Sequence, residues 1–211
     1  MENVITDYKV KETKELYDGF IKLEEVTITN GEKETSREVI KAPNSVAAII
    51  YDTIKEKYIF IQQYRAGADG MMVEVAGGVM EEGEKHEQSI KRKIMEETGY
   101  KVDSVSHAKD FYLTPGISND VVSLFYCEVS EMVNEGDGEI SIIEVEKLGL
   151  GGRIFLEDPL NPKMEEGVEY TMKPPYQIID AKTLIAIMWL ENSNILKQMA
   201  DVITQSKIRS L

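Results

Sequence analysis

Lys93, Glu96 and Glu97 stand at i, i+3 and i+4 of one segment, so on a helix their side-chain tips meet on a single face. Between Gly83 and Gly99 that segment has no Gly or Pro and is rich in Glu, Lys and Met, the composition of a helix. Adjacent carboxylates are costly unless positive charge sits among them. Hard oxygen ligands of this kind suit Mg²⁺ or Mn²⁺, which in turn bridge phosphate oxygens. The competing account of an isolated glutamate pair is a solvated acidic face.

Around this segment the chain supplies the elements that would hold it in place. Ile90 and Ile94, four apart, can form the apolar edge that fixes the helix to a core. Gly99 suits a helix stop, and Gly77-Gly78 let the preceding loop bring backbone close to a ligand. Upstream, Tyr17–Thr29 reads as a strand, Asn30-Gly31 as a hairpin turn and Thr35–Ile40 as the returning strand. Ser45–Tyr51 is a near-continuous apolar run, as expected of a strand buried on both faces. A turn at Lys55–Lys57 leads to a strand at Tyr58–Gln62. Downstream strands are expected at Val102–Phe111, Val121–Val129 and Glu139–Val145, with an acidic, glycine-bearing loop at Met132–Gly138. The stretch 149–175 is rich in Gly and Pro and reads as a long insertion. Asp180 is a sound N-cap for a helix whose apolar face holds Leu184, Ile187 and Met188, and a last helical stretch is expected over 195–203. Strands, one central helix, strands and C-terminal helices predict an α+β chain, a helix-on-sheet sandwich. Two parts are expected: an N-terminal β-hairpin extension over 1–42 and a main domain over 43–211.

The central segment also resembles a known signature. Gly78, then Glu84 after five residues, Arg92 after seven more, and Glu96, Glu97, Gly99 and Tyr100 at their places resemble the Nudix box, G-x5-E-x7-R-E-U-x-E-E-x-G-U. That resemblance implies the Nudix α/β/α sandwich with a mixed sheet, and hydrolysis of a nucleoside diphosphate linked to another group. It further implies that Glu96 and Glu97 hold metal and that Arg92 pairs with Glu84 to orient them. A backbone carbonyl at Gly77, or at Ala76 in the alternative register, would be a further ligand.

Outside the box, LYDGF and Arg37-Glu38-Val39, Gln63-Tyr64-Arg65, Glu74-Val75-Ala76-Gly77-Gly78, Tyr112-Leu113-Thr114-Pro115-Gly116 and Asp180-Ala181-Lys182-Thr183-Leu184 resemble the ADP-ribose pyrophosphatase subfamily, in that order. The resemblance implies Arg65 and Glu74 beside the substrate, and a dimer in which Phe20 and Arg37 reach the neighbouring subunit's nucleotide. Read locally, Phe20 is equally a core aromatic and Arg37 a surface charge. ADP-ribose leads as substrate, with other sugar nucleotides such as GDP-mannose next.

One box position departs from the pattern: Lys93 stands where the family has a metal-binding Glu. The ammonium can balance Glu96 and Glu97 by itself and weaken the demand for a cation, or it can swing outward on its long stem. Gly136 and Gly138 stand where relatives carry loop glutamates, leaving Glu135, Asp137 and Glu139 as substitute bases. Two functions follow: a Mg²⁺-dependent nucleotide-sugar pyrophosphatase, or a weakly active Nudix-fold module that binds a nucleotide for sensing or regulation.

Composition sets outer bounds. A net charge of −14 over 211 residues argues against non-specific nucleic-acid binding and against acidic membrane surfaces, so an anionic substrate needs local cations. No segment is long and apolar enough to span a bilayer, Met1–Lys11 lacks a signal peptide's apolar core, and a cytoplasmic location is expected. Cys127 sits in an apolar run and reads as a buried thiol, while His86 and His107 have no companions for a metal or triad set.

Overall fold

The computed structural model of the chain describes residues 7–146 and 180–193. Two compact units emerge: residues up to Ser45 together with Asp110–Val122, and Val46–Lys109 together with Ser123 onward.

The first unit carries a three-stranded antiparallel sheet, β1 (Lys9–Asp18), β2 (Lys22–Thr29) and β3 (Glu34–Lys41), in that order. The expected hairpin is present between β2 and β3, with Val26 opposite Arg37, but the strand read over Tyr17–Thr29 is broken. Gly19 and its neighbours turn the chain, so Tyr17 belongs to β1 and pairs with Leu23 of β2. β1 was invisible because KVKETKELYD has no apolar alternation, and every one of its residues is exposed. In the same unit the segment after Thr114 docks on the end of β3: Ile40 N–H donates to Ile117 O at 2.8 Å and Ala42 N–H to Asn119 Oδ1 at 2.9 Å.

The second unit is built on the larger sheet. Its strands are β4 (Ser45–Asp52), β5 (Lys57–Arg65), β6 (Gly70–Glu74), β7 (Ala76–Val79), β8 (Tyr100–Tyr112), β9 (Val121–Met132) and β10 (Ser141–Glu146). The order is β10-β5-β4-β9-β8, with β6 pairing β5 and β7 pairing β4. Helix α1 (His86–Thr98) follows β7, and α2 occupies 181–193. The apolar runs appear as strands close to where they were expected. Strands β6 and β7, GMMVE and AGGV, were missed because they are short and glycine-bearing, and only pairing with longer neighbours makes them strands. The insertion over 149–175 and the stretch over 195–203 lie outside the described residues.

One face of this sheet packs α1. Ile90 and Ile94 are fully buried among Val46, Ala48, Ile50, Ile59, Ile61, Phe125, Cys127 and Val129. The alternating positions Ala47, Ile49, Phe60 and Leu124 point to the other face and are buried too, as are Ala186, Ile187 and Leu190 of α2. Burial on both faces is the sandwich expected for an α+β chain. Burial pushes the Cys127 thiol up to about 12, consistent with an inert thiol.

Candidate active site

Helix α1 is held by its apolar side and by its two ends. Ser89, Ile90, Ile94 and Thr98 form its buried stripe. At the start, Lys85 is extended and its N–H donates to Gln88 Oε1 at 3.3 Å. At the stop, Gly99 has φ 71° and its N–H donates to Met95 O at 3.0 Å. A Cβ on Gly99 would lie 2.0 Å from Asn134 O, so both the backbone angle and the space demand glycine. Locking the helix in rotation leaves Arg92, Lys93, Glu96 and Glu97 on one side.

Arg92 organises the outer part of this face. Its Nε and Nη2 donate to the two oxygens of Glu84 at 2.9 and 2.6 Å, and its Nη1 donates to both oxygens of Glu96 at 3.2 Å. The fork-to-fork pairing holds the Glu84 carboxyl down to about 2. The composition between Gly83 and Gly99 extends the expected helix over Glu84, and the structure starts the helix later. The helix begins at His86, so Glu84 reaches Arg92 from the preceding loop, where it also accepts the Glu81 N–H at 3.1 Å. The clamp therefore ties loop to helix.

Lys93 does not swing outward. Its stem lies over Gly78: a Cβ there would meet Lys93 Cε at 3.0 Å, Cδ at 3.1 Å and Nζ at 3.6 Å. The Nζ donates to Glu96 Oε2 at 3.0 Å, and the side chain is only 24% exposed. Burial works to raise the Glu96 carboxyl, but hydrogen bonds from Lys93 and Arg92 outweigh it and hold the group below the usual carboxylate range.

Glu97 faces inward. Its Oε2 accepts the Gly77 N–H at 2.9 Å, which pins the helix face against β7. Gly77 has no room for a side chain, since a Cβ would lie 2.2 Å from Val46 O. Burial pushes the Glu97 carboxyl up to about 7, against the pull of the Gly77 N–H and of Lys93 and Arg65. Behind it Arg65 Nε and Nη2 grip the buried Glu74 at 2.7 and 2.6 Å. Lys182 Nζ lies 3.8 Å from Glu74 and 2.7 Å from Asp180. Asp180 Oδ2 caps α2 by accepting the Thr183 N–H and hydroxyl, and Thr183 Oγ1 accepts the buried Val75 N–H at 2.8 Å. Lys182 and Thr183 were not singled out from the sequence as site residues. They lie 108 residues from the turn they support, and only the DAKTL resemblance hints at them.

The structure thus brings together Arg65, Glu74, Ala76, Gly77, Glu84, Arg92, Lys93, Glu96 and Glu97 within the second unit. Phe20 and Arg37 belong to the first unit and are exposed, Phe20 at 89%. Glu139 lies on an exposed turn with its N–H on Asp137 Oδ1 at 3.0 Å. Gly136 is glycine for a backbone reason: φ is 68°, and a Cβ would sit 2.8 Å from Glu97 O. Among the described residues no three Asp, Glu, His or Cys side chains gather into a cluster that could hold a metal by themselves. The acidic donors at the helix face are Glu96 and Glu97, and the ammonium of Lys93 stands in the third position.

Comparison with known proteins adds to this geometry. The NUDIX domain matches residues 41–164. The ADP-ribose pyrophosphatase of Bacillus subtilis is 32% identical over 171 residues, 80% of this chain and 83% of that protein. The methanol dehydrogenase activator of Bacillus methanolicus is 25% identical, over 90% of this chain and 95% of its own. The GDP-mannose pyrophosphatase of Cronobacter sakazakii is 29% identical, over 74% and 77%. A solved ADP compounds hydrolase superposes with a TM-score of 0.68 at 16% identity, covering 88% of this chain and 92% of that one.

Proposed function

The chain belongs to the Nudix family, and from that premise we propose that it hydrolyses nucleoside diphosphate sugars, with ADP-ribose preferred, to a nucleoside monophosphate and a sugar phosphate. It is a hydrolase of diphosphate bonds, as the family match and its pyrophosphatase relatives support. The carrying observation is the coupling of Glu97 Oε2 to the Gly77 N–H, which sets two adjacent carboxylates against the approach strand.

Phosphoryl transfer asks for positioning and charge neutralisation more than for covalent chemistry. The donor set fits one hard divalent ion, Mg²⁺ or Mn²⁺, held by Glu96, Glu97 and a carbonyl of Ala76 or Gly77. Such an ion supplies charge neutralisation at the phosphate oxygens. Glu97, which burial carries to near neutral without a cation, would give up its proton on metal uptake and serve as a carboxylate ligand through Oε1, since Oε2 already takes the Gly77 N–H. Arg92 keeps Glu96 in place through its clamp with Glu84. Arg65 spends two of its five donors on Glu74 and retains the others for the diphosphate. Glu139 is kept as a base candidate alongside Glu135 and Asp137, and Phe20 and Arg37 as nucleotide contacts.

A panel of nucleotide sugars with and without Mg²⁺, read by thermal shift and by product analysis, tests this reading. A ligand bound to the native state at about 100 times its Kd stabilises it by about 2.7 kcal/mol. ADP-ribose should raise the melting temperature and yield AMP and ribose 5-phosphate. Turnover of a nucleoside triphosphate with no effect of ADP-ribose would refute the substrate assignment. A shift without cleavage would favour the sensing module.

The first unit supports a homodimer. Tyr8, Val10, Leu16, Tyr17, Phe20 and Ile21 are all exposed large apolar residues. So many exposed large apolar side chains within residues 8–21 mark an interaction segment, and two-fold pairing is the commonest solution. Light scattering at micromolar concentration should give twice the chain mass, and Phe20→Ser should shift the protein toward monomer. A wild-type monomer contradicts this expectation.

A further inference from the structure

Lys93 is half-buried, tied at its tip to Glu96, and placed among groups that would otherwise gather metal ions. We infer that the Lys93 ammonium is the resident cation of the site, taking the place of one divalent ion and binding a phosphate oxygen of the substrate directly. Metal is then not needed for the nucleotide diphosphate to bind. This inference rests on the nucleotide-sugar reading above.

Three observations carry it. The stem packs over Gly78 of β7, so the charge is held against that strand beside the helix face, with the side chain 24% exposed. The tip spends one hydrogen bond on Glu96 Oε2 at 3.0 Å, and an ammonium has three donors, which leaves two for phosphate oxygens. Among the described residues no third acidic, His or Cys side chain completes a metal cluster at this face. A second divalent ion, placed in the third position beside the ammonium, would face like-charge repulsion unless the lysine left its pocket. A diphosphate would not: it brings negative charge to a fixed positive one. Lysine serves phosphate in this way as a point charge.

The alternative is that Lys93 only neutralises Glu96 and never meets the substrate. Three proteins separate these accounts: wild type, Lys93→Met, which keeps the stem over Gly78, and Lys93→Glu. Binding of the α,β-methylene analogue of ADP-ribose is measured by calorimetry in EDTA and in Mg²⁺, and bound Mn²⁺ is counted by electron paramagnetic resonance. Wild type should bind the analogue in EDTA within about tenfold of its affinity in Mg²⁺. Lys93→Met should lose about ten- to hundredfold in EDTA, the worth of a charge-assisted hydrogen bond. Lys93→Glu should bind only with metal present and take up one more Mn²⁺ than wild type.

Wild-type binding that vanishes in EDTA and returns with Mg²⁺ overturns the inference, as does Lys93→Met binding like wild type in EDTA. Equal Mn²⁺ counts for wild type and Lys93→Glu overturn it as well. If the analogue binds none of the three proteins in either condition, the nucleotide-sugar reading fails, and the Mn²⁺ count alone decides the role of Lys93.

Discussion

Glu97→Gln is expected to cut hydrolysis by about 10²–10⁴-fold, since glutamine supplies neither the carboxylate that would hold a divalent ion nor a base. It should also change how stability depends on pH. The folded carboxyl sits at about 7, above the ordinary 4.5, because burial disfavours its charge. A group raised on folding contributes stability that is complete below about pH 4.5 and is lost as pH rises through 7. Glutamine stays neutral and can still accept the Gly77 N–H, so it has no such loss. That rise from 4.5 to about 7 corresponds to about 3 kcal/mol. In EDTA, urea unfolding should therefore show Glu97→Gln gaining about 3 kcal/mol on wild type between pH 4.5 and 8.5. Parallel stability curves for the two proteins would show that Glu97 ionises without hindrance. Because a bound cation needs the carboxylate, metal uptake at pH 6 should release close to one proton in wild type and none from glutamine at 97.

Arg65→Met has the other large effect, on stability as well as on substrate. Glu74 is 2% exposed and holds both its oxygens against the Arg65 guanidinium. Removing one member of a buried pair strands the other charge, which costs about 3–5 kcal/mol where nothing compensates. Here two features reduce that figure. Arg65 is 44% exposed, so water can enter, and Lys182 lies 3.8 Å from Glu74. The expected loss is about 2–3 kcal/mol. Combining Arg65→Met with Glu74→Gln should recover part of it, because the stranded charge is gone. Chemical denaturation of the two single variants and the double variant closes a cycle whose coupling term should be of that size. Destabilisation by Arg65→Met below about 0.5 kcal/mol would mean the pair is no more than a surface contact. Lys182→Met together with Arg65→Met should be worse than either alone, since among the described residues Lys182 is the other cation paired with Glu74.

Much of the molecule was legible in one dimension because it is local. The composition between Gly83 and Gly99 and the i, i+3, i+4 spacing set out a helix with Lys93, Glu96 and Glu97 on one face, and an apolar edge at Ile90 and Ile94. The near-continuous apolar run at Ser45–Tyr51 reads as a strand covered on both faces, and Tyr58–Gln62 reads as the next strand. What needed the tertiary structure was set by partners distant in the chain. β1 is a strand only because β2 offers it a ladder, and its own residues carry no sign of it. Glu84 meets Arg92 across a loop and not along a helix, because Lys85 is extended and delays the helix start.

Gly136, which in sequence is merely a missing glutamate, is required by the close backbone of Glu97. Lys182 and Thr183 come to Glu74 and Val75 from the far end of the chain. Two properties bear most on chemistry, and both are three-dimensional. Lys93 had two directions open to it, and the empty space over Gly78 chose the inward one. Glu96 and Glu97 are the same residue type side by side, yet one is held acidic by Arg92 and Lys93 while the other is pushed toward neutral by burial. The sequence by itself determined which groups are present and that they share a face. Only the packed structure decided how each is solvated and what it touches, because desolvation and charge contacts belong to the space around a side chain and not to its neighbours in the chain.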